Sequence, residues 1–432
     1  RLAIIDLNEE SNQPFQLDEN YWIVFNGEIY NFIEIRNDLI ELGIIFRTSS
    51  DTEVLLRSFQ VWGQDCVKKF NGMWAFAIYN KDDNSIFCSR DRFGVKPFNY
   101  TYFNDQFIFS SEVKSILEYY PELKRPNYNV ISNYCRSSLG GQSDQTWFEN
   151  INRLEPAHNL YIKDGKTQKT RYWSYPDKVD ERKSFEDAVI EYKNILKDAI
   201  KLRLRSDVPV GFTLSSGIDS TSLVSVVKND FSDNIITYTA QFDNKLFNAF
   251  NSKSYNSSVD LDESKIVNKL SSDFNLTSNI IPVNFDSFTT ELNDLIYFME
   301  SGHSSPAIIP LNQILKKAKN DVTVLIEGQG ADELLGGYVS NIFPFYFLEL
   351  VSTLKFVRAI KELSCFVKNY SFVAAFQLFL RNSDFKLLKK FYYKISGGNN
   401  FFIGKLKSYS PLRDYSIDQS LSFGSLVNKH LF

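Results

Sequence analysis

The pattern of apolar and polar positions changes character along the chain, and its first part reads as a mixed α+β domain. Short apolar runs between turn residues predict strands of an antiparallel sheet. Spacings of three and four between apolar residues predict two helices among them. The predicted strands are Leu2–Ile5, Trp22–Phe25, Trp74–Tyr79, Ile86–Cys88 and Phe107–Phe109, with a hairpin loop at Asn80–Asn84, and the predicted helices are Phe32–Leu42, which stops at Gly43, and Asp51–Trp62.

In the second part, apolar runs alternate with helical segments, which is typical of a doubly wound α/β domain with a parallel sheet. A helix is expected after the capping residue Ser184, with an apolar face from Phe185 to Ile200. The predicted strands are Val208–Leu214, Ile235–Phe242, Ile280–Val283 and Val322–Ile326. The polar stretch 176–183 predicts a linker, so that residues 1–175 and 184–432 form the two domains.

Composition narrows the function classes. The 432 residues are too many for one ordinary core, and a net charge of −4 without basic runs argues against a nucleic-acid partner. Four scattered cysteines indicate a reduced, cytoplasmic setting, and three histidines without ligand spacing argue against a His-based zinc site. The aromatic stretch Tyr338–Ile360 carries too many polar residues for a membrane span and predicts a buried or interface helix. A start at Arg1, without Met or signal sequence, indicates truncation or processing.

The segment Ser215–Ser220 carries the clearest chemical signal. It joins the strand that ends at Leu214 to a helical segment, and its small residues leave backbone N–H groups facing outward. Serine hydroxyls and the helix N-terminus add further donors, so the segment predicts a polyphosphate cradle without a lysine. The Walker A pattern is absent. On this hexapeptide alone, a serine-rich helix cap without ligand is equally favoured.

A second candidate is Asn26-Gly27, which lies between apolar residues. Asn-Gly in that setting is the leading signal of a two-residue hairpin, and taken by itself the hairpin is favoured. The surrounding sequence changes this interpretation, because six blocks, in the same order, resemble the class II glutamine amidotransferase domain. The blocks are Arg1–Asp6, Phe25–Asn31, Ser50–Glu53, Gly72–Ala77, Arg90–Pro97 and Phe109–Lys114.

This resemblance implies an Ntn-hydrolase-like sandwich of antiparallel sheets between helices. It implies that the Asn26 side chain and the Gly27 N–H stabilise an oxyanion. Arg1 would pair with the α-carboxylate of glutamine, and Glu28 and Asp51 with its α-ammonium. The family's nucleophile is an N-terminal cysteine that this chain lacks, so we expect no glutamine hydrolysis from the chain as written. Cys66 and Cys88 are expected to be buried, and Arg90–Arg92 to form a structural charge network.

In the second domain, Ser215–Ser220 resembles the pyrophosphate loop of ATP pyrophosphatases. Asp262–Ser264 and Glu327–Tyr338 resemble blocks of glutamine-hydrolysing asparagine synthetase. The resemblance implies ATP and Mg²⁺ as cofactors. Ser215, Ser216, Gly217 and Ser220 would bind the phosphates, Asp219 and Asp332 would hold Mg²⁺, and Leu214, Ala240, Glu327 and Gly328 would contact the adenosine part. The family's later blocks, with a pyrophosphate-binding lysine, are absent, so a C-terminal truncation is expected.

One residue departs from the family pattern. The loop glutamate, a candidate base for ammonia addition, is Gln329 here, and Glu327 stands two residues earlier. We hypothesise that Glu327 takes over as the base. Glu300 is expected either to line the acceptor pocket or to form a structural ion pair.

The predicted activity is adenylation of a carboxylate, with aspartate as the default, followed by amidation with glutamine-derived ammonia to give asparagine, AMP and diphosphate. The alternatives are amidation of another acceptor (a surface polysaccharide, a β-lactam precursor or a cyclising peptide) and a non-catalytic pseudo-enzyme. The expected partners are small-molecule substrates, glutamine and aspartate or another carboxylate, and a homodimer is left open.

Overall fold

Residues 3–137, 144–176, 183–242, 262–284, 288–302 and 307–370 are described by a computed structural model. Arg1, Leu2, most of the predicted linker and the region after residue 370 lie outside these ranges. The chain divides into two units, Arg1–Glu327 and Gly328–Phe432. Within the first unit we call residues 3–176 the N-terminal half and residues 183–327 the parallel-sheet half.

The helices are α1 (Phe32–Glu41), α2 (Asp51–Trp62), α3 (Val113–Tyr119), α4 (Tyr128–Ser137), α5 (Phe185–Arg203), α6 (Ile218–Asp230), α7 (Ser264–Asp273), α8 (Phe288–Met299), α9 (Ile308–Ala318), α10 (Ala331–Leu335), α11 (Val339–Ser352) and α12 (Phe356–Tyr370). The strands are β1 (Phe15–Leu17), β2 (Tyr21–Ile29), β3 (Gly72–Asn80), β4 (Ser85–Arg90), β5 (Asn99–Phe103), β6 (Gln106–Ser110), β7 (Asn152–Arg153), β8 (His158–Lys163), β9 (Lys166–Arg171), β10 (Val210–Thr213), β11 (Ile236–Gln241), β12 (Thr277–Pro282) and β13 (Val324–Ile326).

The N-terminal half is a sandwich of two antiparallel sheets. One sheet has the order β1-β2-β3-β4-β8-β9 and the other β6-β5-β7. Small side chains such as Ala75 and Ala77 pack with Tyr100 of β5 and with Phe98 just before it, while α1 and α2 cover the opposite face of the first sheet. Helix α3 packs on the outer face of the second sheet through Val113 and Ile116. The order helix, sheet, sheet, helix confirms the predicted sandwich.

Two local expectations fail in the N-terminal half. Residues 3–5 form no strand, because the Ile4 carbonyl and the Asp6 N–H bond to Asp207 instead of to a neighbouring strand. Asn26-Gly27 forms no hairpin turn, because β2 runs through both residues and pairs without a break with β3, Gly27 lying opposite Trp74. The predicted hairpin at Asn80–Asn84 does join β3 to β4.

The parallel-sheet half begins with α5, whose cap is as predicted, since the Ser184 hydroxyl accepts a hydrogen bond from the Asp187 N–H. Its expected apolar face is only partly buried: Phe185 is 79% exposed, whereas Ile200 packs in the core. The four strands that follow form a parallel sheet in the order β12-β11-β10-β13, which confirms the α/β prediction.

In the second unit, α11 and α12 pack together, and the rings of Phe343 and Phe366 stack with centroids 4.1 Å apart. Phe343 and Leu350 of α11 are buried, whereas Leu348 is 54% exposed. Across the described ranges, no helix combines the length and the apolar character that a membrane crossing requires.

Candidate active sites

The first candidate site lies at the middle of β2, beside a cavity of about 370 Å³ between the two sheets of the sandwich. Asn26 and Ser111 both line this cavity, together with Phe98 and Phe109. The Asn26 side-chain amide donates a hydrogen bond of 3.1 Å to the Ser111 hydroxyl. The rigid strand and this bond orient the amide that the sequence proposes as an oxyanion donor.

Gly27 is a position that only glycine fits. Its φ of +154° lies in the region that side chains disfavour, and a Cβ there would stand 2.1 Å from the Met73 carbonyl oxygen and 2.8 Å from the Trp74 Cα. Because β3 approaches so closely, this position requires a residue without a side chain. This explains Gly27 without a hairpin.

Two buried carboxylates follow Asn26-Gly27. Glu28 is 6% exposed and Asp51, the first residue of α2, is 5% exposed. Burial raises the pKa of Glu28 to about 7, the negative charge of Asp51 adds to this, and Lys96 and Arg203 oppose it. Asp51 itself accepts a hydrogen bond of 3.1 Å from the Ile29 N–H. Two buried carboxyl groups close together can bind an ammonium group. The attraction between the cation and the carboxylates offsets the hydration that they lose on burial.

Glu53 closes the block Ser50–Glu53, and the block alone gives it no role. The structure shows a fully buried carboxylate that accepts hydrogen bonds from the Arg47 N–H and from both the N–H and the hydroxyl of Thr48. Ser50 caps α2 by accepting from the Glu53 N–H. These bonds fix the loop before α2 and thereby the position of Asp51. The Ser-x-x-Glu spacing of a capping box is the signal that could have identified this arrangement.

The cluster Arg90–Arg92 is structural, as expected. The Arg90 guanidinium donates to the carbonyls of Gly94, Lys96 and Leu154. Asp91 accepts from backbone N–H groups on both sides of the turn. All of these partners are main-chain groups, so the cluster is occupied in holding the turn after β4.

Cys66 and Cys88 are fully buried, and burial raises the pKa of both thiols above the ordinary value. Such thiols stay protonated, and the protonated form is a poor nucleophile. Of the proposed glutamine-binding residues, Asn26, Gly27, Glu28 and Asp51 lie on β2 and at the start of α2, and Arg1 lies outside the described residues.

The second candidate site lies at the carboxyl edge of the parallel sheet. In the order β12-β11-β10-β13, the first strand of the series, β10, is flanked by the second and the fourth, so the direction of winding reverses between β10 and β13. Ligands of open α/β sheets bind at such a reversal. The segment Ser215–Ser220 follows β10, and Glu327 follows β13, and because these strands are parallel both stand at this edge.

The serine segment is internally bonded. The hydroxyls of Ser215 and Ser220 lie 2.8 Å apart, and Ser220 also accepts from the Ser215 N–H. Gly217 occupies the cap position of α6, and Asp219 lies half-buried in the first helical turn. The Ser216 N–H donates a bond of 2.7 Å to the carboxylate of Glu263, just before α7. A negatively charged group thus already accepts from the loop backbone, as a phosphate oxygen would.

The residues proposed to contact the adenosine part differ in burial and in hydrogen bonding. Leu214 is buried, and its N–H and carbonyl are bonded to the Tyr238 carbonyl and the Thr239 hydroxyl. Ala240 lies near the end of β11. Glu327 is half-buried, and burial raises its pKa.

The rest of the Glu327–Tyr338 block belongs to the second unit. Gln329 is exposed there, Gly328 is half-buried, and Asp332 lies in α10 with its carboxylate against Gly337, where a Cβ would overlap it. Among the residues whose placement is described, no group of three or more His, Cys, Asp or Glu side chains is arranged to hold a metal ion.

The two halves of the first unit are joined by polar contacts. Both carboxylate oxygens of Glu300 accept hydrogen bonds from the start of α3, from the Val113 N–H at 2.7 Å and the Lys114 N–H at 2.6 Å. The Lys114 ammonium lies 3.5 Å from the same carboxylate, which agrees with the structural ion pair among the two expectations. On another side, Arg203 of α5 covers the ring of Tyr30 at 4.7 Å.

The two folds agree with a glutamine amidotransferase domain followed by a synthetase domain of the asparagine synthase type. The family profile described as "Glutamine amidotransferase domain" matches residues 1–173, and the profile described as "Asparagine synthase" matches residues 191–372. The chain belongs to the glutamine-hydrolysing asparagine synthetase family.

Three relatives illustrate the similarity. Glutamine-hydrolyzing asparagine synthetase 1 of Bacillus subtilis is 35% identical over 348 residues, which cover 79% of this chain and 51% of the relative. The putative glutamine-hydrolyzing asparagine synthetase 2 of Methanocaldococcus jannaschii is 33% identical over 415 residues, covering 89% and 76%. Amidase chyE of Penicillium rubens is 26% identical over 366 residues, covering 78% and 50%. The chain therefore spans about half the length of the Bacillus subtilis relative.

Proposed function

We propose that this chain carries the ATP-dependent half and part of the glutamine site of an enzyme that amidates a carboxylate. The acceptor carboxylate attacks the α-phosphate of ATP, giving an acyl-adenylate and releasing diphosphate. Ammonia derived from glutamine then attacks the acyl carbon, and AMP leaves. Keeping the two steps within one protein protects the adenylate from water.

The serine segment at the winding reversal is the observation that carries the proposal. Ser215, Ser216, Gly217 and Ser220 present hydroxyl and backbone donors where open α/β sheets bind ligands. Mg²⁺ accepts oxygen ligands, and the carboxylates of Asp219 and Asp332 are proposed to hold it. When bound, the ion would neutralise charge on the departing diphosphate. Leu214, Ala240, Glu327 and Gly328 are proposed to contact the adenosine part.

In the N-terminal half, we propose that glutamine binds at the cavity beside Asn26. The Asn26 amide and the Gly27 N–H would stabilise the oxyanion, Glu28 and Asp51 would receive the α-ammonium, and Arg1 the α-carboxylate. What supports this is the burial of both acids and the raised pKa of Glu28, which an ammonium partner would lower again.

The proposal is tested by calorimetric titration of diphosphate, with and without Mg²⁺, into the chain and its Ser220→Ala variant. Removing the Ser220 hydroxyl opens the contact with Ser215, and we expect diphosphate affinity to fall about tenfold. Ser222→Ala, on the exposed side of α6, is the matched control and should bind like the parent. Crystals soaked with diphosphate or AMP provide the second test: density away from the serine segment would overturn the proposal.

Aspartate is the proposed default acceptor, and asparagine the product. A second acceptor class is supported by Gln329, which replaces the loop glutamate of the family, and by the similarity to a relative named as an amidase. Incubation with ATP, ammonia and a panel of carboxylic acids, followed by mass spectrometry of the amides, separates the two. We place the activity in the cytoplasm, where ATP and glutamine are available and the four scattered cysteines remain reduced.

A further inference from the structure

One link between the two halves, made by Glu300, leads toward the proposed glutamine site. Glu300 follows α8 in the parallel-sheet half, and its side chain is 12% exposed. Its carboxylate binds the backbone N–H groups of Val113 and Lys114, two of the unpaired donors that begin α3. A charged acceptor on two backbone donors is among the stronger contacts that a protein makes.

The backbone at Glu300 and the contacts of its neighbours fix where this part of the parallel-sheet half lies against the N-terminal half. Glu300 adopts φ +56°, a conformation that is strained for any residue but glycine. Two residues later, a Cβ on Gly302 would stand 2.6 Å from the Tyr134 ring and 2.7 Å from Trp147, so the chain passes close to the N-terminal half there. The Lys114 ammonium also lies 5.2 Å from the ring centroid of Tyr297. The end of α8 and the residues after it are therefore held to the N-terminal half by three kinds of contact.

The segment that Glu300 binds, at the start of α3, also contains Ser111, the hydrogen-bond partner of Asn26. Ser111 stands two residues before Val113, and its hydroxyl accepts a hydrogen bond from the Asn26 side-chain amide. The Ser111 carbonyl is fixed by the Asn99 side chain at 2.9 Å. A shift at the start of α3 would therefore move Ser111 and with it the orientation of Asn26. Only Glu112 lies between Ser111 and Val113, so the two contacts are close together along the chain.

We propose that Glu300 is a positioning residue through which the parallel-sheet half orients the proposed oxyanion donor Asn26, so that glutamine binding depends on how the parallel-sheet half is docked. The proposal rests on the proposed glutamine site. The route consists of the carboxylate of Glu300, the first turn of α3, the Ser111 hydroxyl and the Asn26 amide. A purely structural role would affect stability and leave glutamine affinity unchanged.

The test compares Glu300→Ala with the parent chain by hydrogen exchange and by calorimetric titration of L-glutamine. Exchange at the Val113 and Lys114 amides should quicken at least tenfold, because both lose their acceptor. The dissociation constant for glutamine should rise about tenfold, while diphosphate binding at Ser215–Ser220 stays within twofold. Glu300→Gln, which keeps one oxygen acceptor, should fall between the parent and Glu300→Ala.

Two controls separate positioning from charge and from fold. Glu112→Gln removes the other carboxylate near the Lys114 ammonium, 3.0 Å away, and leaves the backbone contacts in place, so its glutamine affinity should match the parent. In an Asn26→Ala background, Glu300→Ala should cause no further loss, because both act through one group.

Two results are decisive and distinct. If the parent chain binds glutamine through Asn26 and Glu300→Ala leaves the affinity within twofold, the inference about Glu300 is overturned alone. If the parent chain binds no glutamine, or if Asn26→Ala and Glu28→Gln leave binding unchanged, the proposed glutamine site fails and the inference fails with it.

Discussion

The guanidinium group of Arg205 meets the carboxylate of Glu34 at two points, with N–O distances of 2.6 and 2.5 Å. Arg205 follows α5 in the parallel-sheet half, and Glu34 lies in α1 of the N-terminal half. The same guanidinium donates to the Tyr30 carbonyl at 2.7 Å, one residue after β2 ends. This planar two-point geometry suits arginine, because lysine offers only a point charge. Arg205 therefore ties the end of β2, the strand of the proposed glutamine site, to the parallel-sheet half.

We predict that Arg205→Ala loosens this tie at modest cost to stability. Glu34 is 55% exposed, so the loss should be about 1 kcal/mol in the free energy of unfolding. Hydrogen exchange should quicken in residues 30–36. Lys197→Ala, which removes an ion pair within the parallel-sheet half, is the matched control and should leave that segment unchanged. Unchanged exchange in Arg205→Ala would refute the role.

We predict that Gly27→Ala is the most damaging single-methyl change in β2. The added Cβ would collide with the Met73 carbonyl oxygen, and β3 would have to move away. The expected loss is about 3 kcal/mol or more, since overpacking adds to backbone strain. Gly43→Ala shares a positive φ but has open space around it, so its cost should be about 1 kcal/mol. Urea unfolding measures both, and equal losses would contradict the steric argument.

The sequence could predict what is decided locally. Helix α2 begins at Asp51 and ends at Trp62 as expected, because Ser50 caps its start and Gly63 follows its end. Asn26-Gly27 was misread in isolation, because a dipeptide cannot show that a neighbouring strand, through Met73, requires the glycine. Only the ordered family blocks corrected it.

Contacts between residues far apart in the chain could not be predicted from the sequence, for a physical reason. Glu300 is separated from Val113 by 187 positions, and no periodicity specifies which backbone donors a carboxylate will find. The exposure of Phe185 likewise depends on which elements cover α5, although the helix itself followed from its capping residue and spacing. Secondary structure could thus be predicted from the sequence, and the long-range contacts that hold the proposed site residues in place could not.

We predict that glutamine binding releases a proton near neutral pH through Glu28. Burial raises its pKa to about 7 in the folded chain, and an arriving ammonium favours the carboxylate. Calorimetry at pH 6 in buffers of different ionisation enthalpy should report release of close to one proton, and at pH 8 almost none, because Glu28 is then already ionised. Glu28→Gln should abolish the difference. Proton uptake at pH 6 would contradict the assignment.

The same raised pKa predicts the direction of a stability change. Between the ordinary value of 4.5 and about 7, the unfolded chain loses the Glu28 proton while the folded chain keeps it. The contribution of Glu28 to stability is therefore full below pH 4.5, falls as the pH rises to 7, and is constant above. Glu28→Gln should flatten this fall, by about 3 kcal/mol at most. A steeper fall in the variant would show that the sign is wrong.

We predict that Glu263→Gln strengthens diphosphate binding in the absence of Mg²⁺. The Glu263 carboxylate accepts from the Ser216 N–H, which a phosphate oxygen would use, and its charge opposes an incoming anion. Removing the charge should raise affinity about fivefold, corresponding to about 1 kcal/mol. Asp273→Asn, at the far end of α7, is the control. Weaker binding in Glu263→Gln would mean that Glu263 assists the anion, for instance through a cation.

The final prediction concerns Glu327, which burial prepares for proton transfer by raising its pKa. Glu327→Gln cannot accept a proton from attacking ammonia, so amide formation should fall about a hundredfold or more, whereas the single-turnover release of diphosphate from ATP should change little. Ammonia-dependent synthesis and diphosphate release, measured in parallel, separate the two steps. Gln329→Glu in the Glu327→Gln background restores a carboxylate two residues along the loop, and partial recovery would identify the lost group as the base. Unchanged synthesis in Glu327→Gln would remove Glu327 from the mechanism and leave the base to another group.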